Sequence, residues 1–64
     1  MALYIVRENN DELALYRGKP TRKHDAKEYE DLFEGEFVSY MAEDLFPEVT
    51  SENSPRKIEI ILKD

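Results

Sequence analysis

No cysteine occurs anywhere in this chain of 64 residues, and nothing else in it constrains the fold as tightly. Disulfides and thiolate zinc sites are excluded as staples, which leaves close packing or self-association to hold the domain together. A domain of this size buries only about 60% of the surface that its unfolded chain exposes. The apolar stock is sixteen Val, Ile, Leu and Phe residues with four Tyr, enough for one thin core behind a small sheet. Residues 1–64 are therefore read as a single small domain, and size alone leaves a homo-oligomer open.

The local pattern is mostly extended. Leu3-Tyr4-Ile5-Val6 and Leu13-Ala14-Leu15-Tyr16 are strand-type runs separated by Arg7-Glu8-Asn9-Asn10-Asp11-Glu12, whose Asn-Asn-Asp centre favours a turn, so a β-hairpin is predicted. Gly18-Lys19-Pro20 is expected to end the second strand, because Pro removes a ladder donor. Asp25-Ala26-Lys27-Glu28 fits a capping box, and Ala26, Tyr29, Leu32 and Phe33 recur at helical spacing ahead of Gly35. That spacing predicts a short helix over 26–34, with a strand or an irregular segment as the alternative. Glu36 to Tyr40 alternates as a strand, with Phe37 and Ser39 on one face and Val38 and Tyr40 on the other. Leu45-Phe46-Pro47-Glu48-Val49 reads as a single turn, and Arg56 to Lys63 as a strand with Ile58, Ile60 and Leu62 inward. The order β-β-α-β-turn-β implies an α+β fold, a small antiparallel sheet of about four strands with one short helix.

Charge is laid out unevenly. Residues 17–24 hold Arg17, Lys19, Arg22 and Lys23 with no acid, whereas residues 25–52 hold ten acids against Lys27 alone. The net charge is −6, a quantity that bears on partners and association rate rather than on fold. The pattern E-D-L-F occurs at Glu30–Phe33 and again at Glu43–Phe46. Two readings stand: two turns that each bury a Leu-Phe pair under an acidic rim, or one pair left exposed as a peg for a partner. No stretch approaches the roughly 18–20 apolar residues of a membrane span. The opening apolar run is six residues long and is followed by Arg7-Glu8, which does not fit a signal peptide. The cytoplasm is the expected location and no membrane is an expected partner.

Two stretches carry a resemblance. Leu45-Phe46-Pro47-Glu48-Val49-Thr50-Ser51-Glu52-Asn53-Ser54-Pro55, with Leu3-Tyr4-Ile5-Val6-Arg7, Leu13–Tyr16 and Gly18-Lys19-Pro20, resembles a group of short uncharacterised bacterial and phage-type proteins. That group has an opening β-hairpin and an L-F-P-E-V-T-x-E-N-S-P ending. The chain departs from the pattern at Ser51, where the group carries an aromatic residue. The resemblance implies a fold type and a phage or mobile-element origin; it implies no mechanism.

No catalytic chemistry has its parts here. Nucleophilic hydrolysis needs an oriented base, and the one histidine, His24, lies in the polar run Lys23-His24-Asp25. Glu8, Asp11 and Glu12 surround a turn but lack the spacing of an EF-hand loop, and Gly18 and Gly35 stand too far apart for a phosphate loop. No enzyme activity, cofactor or metal is expected. Direct nucleic-acid binding through Arg17, Lys19, Arg22 and Lys23 with Tyr16 is opposed by the acidic balance. The leading reading is a small, soluble, non-catalytic module that contacts another protein or itself. Its contact residues are expected among Glu30, Asp31, Phe33, Glu34, Glu36, Glu43, Asp44 and Phe46, with Tyr29, Phe37 and Tyr40 as further aromatic anchors. Two alternatives remain: an acidic nucleic-acid mimic that blocks a DNA-binding protein, and a self-assembling protein that pairs through an open sheet edge such as Arg56–Lys63.

Overall fold

The two opening apolar runs pair with each other, as their alternation requires. In the computed structural model, which describes residues 2–27 and 29–59, β1 (Leu3–Arg7) lies antiparallel to β2 (Leu13–Arg22), with Leu3 opposite Arg17 and Arg7 opposite Leu13. The loop between them closes through Glu8 N–H to Glu12 O at 2.8 Å, and Asp11 takes the left-handed angle (φ 67°) that Asn and Asp tolerate. β3 (Phe33–Met41) adds to β2, and β4 (Arg56–Ile58) adds to β1, both antiparallel. One four-stranded sheet results, in the order β3-β2-β1-β4.

Both faces of this sheet carry a core. Successive strand residues point to opposite sides, so Val6, Ala14 and Tyr16 gather with Phe33 on one face, against Leu32. Ile5 and Leu13 gather with Val49 on the other, backed by Leu15, Met41 and Ile58. Segments between strands supply the covers: Leu32, just before β3, packs on the first face, and Val49, in the 42–54 loop, on the second.

The fold is therefore all-β, not the α+β arrangement that the spacing predicts. Among the described residues no helix forms over 26–34. Glu30 N–H bonds Lys27 O at 2.9 Å as an isolated turn, while Lys23 N–H bonds Leu32 O at 2.8 Å and closes the stretch into a loop. Nine residues form a helix only if packing holds its apolar face. Here Phe33, one of the two aromatic residues of that face, is taken by β3 and is 2% exposed, and Tyr29 is left 81% exposed.

Two further expectations are corrected. Gly18-Lys19-Pro20 does not end β2. The strand continues to Arg22 across an irregularity in which Arg17 faces Glu36 and Thr21 faces Glu34, so two extra residues of β2 bow outward. Gly18 supplies the positive φ of 72° for that bow, and its N–H bonds Ala2 O at 2.9 Å. Gly35, expected to stop a helix, lies inside β3 against the bow; a Cβ there would meet Pro20 at 3.1–3.2 Å and Tyr16 at 3.3 Å. Second, Phe37 and Tyr40 share a face. Leu15 pairs with Ser39 but Tyr16 with Phe37, so Val38 is an extra residue on β3, and passing over it reverses the alternation. The segment expected as a single turn, Leu45–Val49, does turn, with Val49 N–H bonded to Phe46 O at 2.9 Å and Phe46 left-handed at φ 49°. Of the strand expected over Arg56–Lys63, Arg56–Ile58 is strand and Glu59 is not; residues 60–63 lie outside the described residues.

Candidate interaction surface

Arg7 and Glu8 are adjacent in sequence, yet each serves a different cover. The Arg7 guanidinium, buried at the end of β1, donates every one of its five N–H groups to a backbone carbonyl. Nε reaches Val49 O at 3.0 Å, Nη1 reaches Asp11 O at 3.0 Å and Glu43 O at 2.9 Å, and Nη2 reaches Leu45 O at 3.0 Å and Phe46 O at 3.1 Å. A buried cation is tolerable only when its donors are met, and here carbonyls do this without a carboxylate within salt-bridge distance among the described residues. The left-handed turn at Phe46 aims one of those carbonyls. The rest of the 42–54 loop bonds itself. Thr50 and Asn53 exchange hydrogen bonds at 2.8 and 3.2 Å, Asn53 Nδ2 reaches Glu48 O at 2.9 Å, and Ser54 Oγ donates to Thr50 O at 2.6 Å while accepting from Arg7 N at 2.9 Å. An open cleft of about 430 Å³ lies beside this knot, lined by Arg7, Asp11, Glu43, Pro47, Thr50 and Ser51 among others.

On the opposite face the Glu8 carboxylate is 3% exposed and accepts the Leu32 N–H at 2.5 Å through Oε1. Among the described residues its Oε2 has no hydrogen-bond partner. Burial pushes the Glu8 pKa above its ordinary value of 4.5, opposed by the Leu32 N–H, reinforced by Asp31 and opposed by Lys23. Such a carboxyl keeps its proton to higher pH in the native state than in the unfolded chain, so stability falls as the pH rises between the two pKa values. Relative to Glu8→Gln, the native chain is expected to be most stable below pH 4.5 and to lose ground above it until the native pKa is passed. Urea titrations of both chains over that range check this; parallel pH profiles would refute it. Burial likewise pushes the Tyr16 hydroxyl up to about 12, with Glu8 adding to the shift.

The residues expected to contact a partner are scattered. Phe33 is core, with the Arg22 guanidinium 4.9 Å over its ring. Asp31 and half-buried Glu30 lie in the 23–32 loop, Glu34 and Glu36 are exposed on β3, and Glu43, Asp44 and Phe46 are exposed in the 42–54 loop across the sheet. Of the two E-D-L-F copies, the first turns its Phe inward and the second leaves both Leu45 and Phe46 partly exposed. His24 is exposed in its loop.

What the fold does assemble is a strip along β3. As an outer strand of the sheet it has a neighbour on one side only among the described residues, and residues 34–40 are all exposed. Tyr16, Phe37 and Tyr40 form an edge-to-face ladder with ring centroids 5.9 and 4.9 Å apart, and Phe37 and Tyr40 remain 47% and 53% exposed. Glu34 and Glu36 lie on the reverse side, with Glu36 3.5 Å from exposed Arg17. Negative neighbours, Glu12 first and then Asp31, raise the Tyr40 pKa, so the aromatic strip sits in an acidic field. Val38, Arg7 and Glu8 are the residues that sequence reasoning missed. Val38 gave no signal because the bulge arises from a register shift, and a lone charge at a strand end does not announce its burial.

Among the described residues no group of three or more His, Asp or Glu is placed to hold a metal ion, and no helix is long and apolar enough to cross a membrane. Comparison with protein-family models, curated proteins and solved structures finds no match.

Proposed function

We propose that the protein is a non-catalytic interaction module that contacts another protein along the outer edge of β3. The observation that carries this reading is the exposure of Phe37, Val38 and Tyr40 on a strand with one open side. An open edge offers unpaired N–H and C=O groups, and aromatic anchors contribute most of the energy in protein interfaces. The two rings are held in place by each other and by buried Tyr16, so little side-chain freedom is lost when a partner covers them.

A photo-crosslinking residue at Val38 tests this in lysate of the source cell, with Asn10 in the exposed hairpin turn as control. An adduct with a second protein at Val38, absent at Asn10 and lost in the Phe37→Ser/Tyr40→Ser variant, is expected. Equal labelling at both positions, or none, defeats the reading; a product of twice the chain mass replaces it with self-assembly. The nine acids between residues 28 and 55, where no Lys or Arg occurs, also favour mimicry of a nucleic acid. That second reading requires the adduct to be a DNA-binding protein and duplex DNA to compete with it.

A further inference from the structure

The β3 edge has two chemically different sides, and together they define what fits beside it. On one side stand the carboxylates of Glu34 and Glu36, opposite Thr21 and Arg17. On the other stand the exposed rings of Phe37 and Tyr40. An incoming strand presents alternate side chains to these two sides. We infer that the occupant of the β3 edge is an extended segment of another protein in which Lys or Arg alternates with β-branched or other apolar residues. This rests on the interaction reading above and names its partner chemistry.

Charge decides between that occupant and the β3 edge of a second copy of this chain. From residue 28 to residue 55 the chain carries nine acids and no Lys or Arg, so a second β3 brings the same carboxylates to the same edge. The acids at Glu34 and Glu36 are features that keep identical edges apart. A basic segment meets the same acids as attraction. The Arg17–Glu36 pair is no obstacle, because both side chains are more than half exposed and such pairs contribute little. On the aromatic side, a cation that reaches round the strand finds ring faces in the acidic field of Glu12 and Asp31.

The test uses the whole chain, labelled with nitrogen-15, and three ten-residue peptides: alternating Lys and Val, alternating Glu and Val, and the Lys-Val peptide N-methylated at every second residue. Saturable binding of the Lys-Val peptide is expected, with amide shifts concentrated in residues 33–41. N-methylation should weaken it about tenfold or more, because it removes the strand's donors while keeping the charge. Glu34→Lys/Glu36→Lys, at two exposed positions, should weaken the Lys-Val peptide by a similar factor and bring in the Glu-Val peptide. Equal binding of methylated and unmethylated peptides, equal binding of the Lys and Glu peptides to the native chain, or shifts centred away from β3 would overturn the inference. Those three comparisons use the native chain, so they stand whether or not the charge-reversed variant folds. An adduct at Val38 together with failure of the Lys-Val peptide leaves the interaction reading intact and removes this one.

Discussion

Arg7→Met is expected to take away most of the stability of the domain. The substitution keeps the aliphatic stem but strands five carbonyls that now share one guanidinium. Each buried carbonyl left unmet costs about 1–3 kcal/mol, and about 3–5 kcal/mol is expected for the set. Four of the five contacts are only partly buried and water can replace them in part, which is why the cost is not five times a single bond. A chain of 64 residues has about 3–10 kcal/mol in all, so the loss decides whether the domain folds. Arg7→Lys retains the charge with three donors in place of a planar fork, and about 2–4 kcal/mol is expected from the lost bonds. Urea unfolding gives both values. Hydrogen exchange at the Arg7 and Val49 amides, bonded to Ser54 Oγ and Phe46 O, reports release of the 42–54 loop in the Lys variant. An Arg7→Met chain within about 1 kcal/mol of native stability would show that the loop holds its own shape.

Phe33→Ala should cost about 3–5 kcal/mol, the usual range for removing a buried phenyl ring. Phe33 is the largest fully buried side chain and joins Val6, Ala14 and Tyr16 to the half-buried Leu32. Losing it empties one of the two small cores among the described residues, and neighbours held by strand pairing have little room to collapse into the gap. The ring also carries the Arg22 guanidinium at 4.9 Å, a contact worth about 0.5–1 kcal/mol at an exposed site. Phe33→Leu keeps much of the volume and is expected to cost less than half as much. Thermal or urea unfolding of the pair decides the matter: equal losses for Ala and Leu would mean that the ring is not packed as described.

The difference between Phe33 and Phe37 explains how far the candidate surface was legible. Both are aromatic, both are flanked by acids, and the sequence offered no reason to bury one and expose the other. The register of β3 against β2 makes that choice. Phe33 opposes Arg22 and packs against Leu32, whereas Phe37 opposes Tyr16 and stays 47% exposed. The acidic character of the surface could be read directly, because charge at exposed positions survives any fold. The face on which each aromatic stands could not, because one extra residue at Val38 reverses the alternation.

Nearest-neighbour chemistry was enough to place the opening hairpin, a strand through Glu36–Tyr40, the start of β4 at Arg56 and the polar turns between them. Those features depend on alternation and on Asn, Asp, Gly and Pro preferences, which act within a few residues. Absence of cysteine and an acidic balance were likewise properties of the chain before it folded. Only the tertiary structure decided that, among the described residues, no helix forms over 26–34 and that Phe33 and Glu34 open β3. The helical spacing of that stretch is a weak local preference, and β2 pairing with Phe33, together with the Glu8 bond to Leu32, overrides it. Only the tertiary structure, too, gave Arg7 its task. Its five partners lie 4 to 42 residues away, and a guanidinium fork recognises carbonyls that no local pattern brings together.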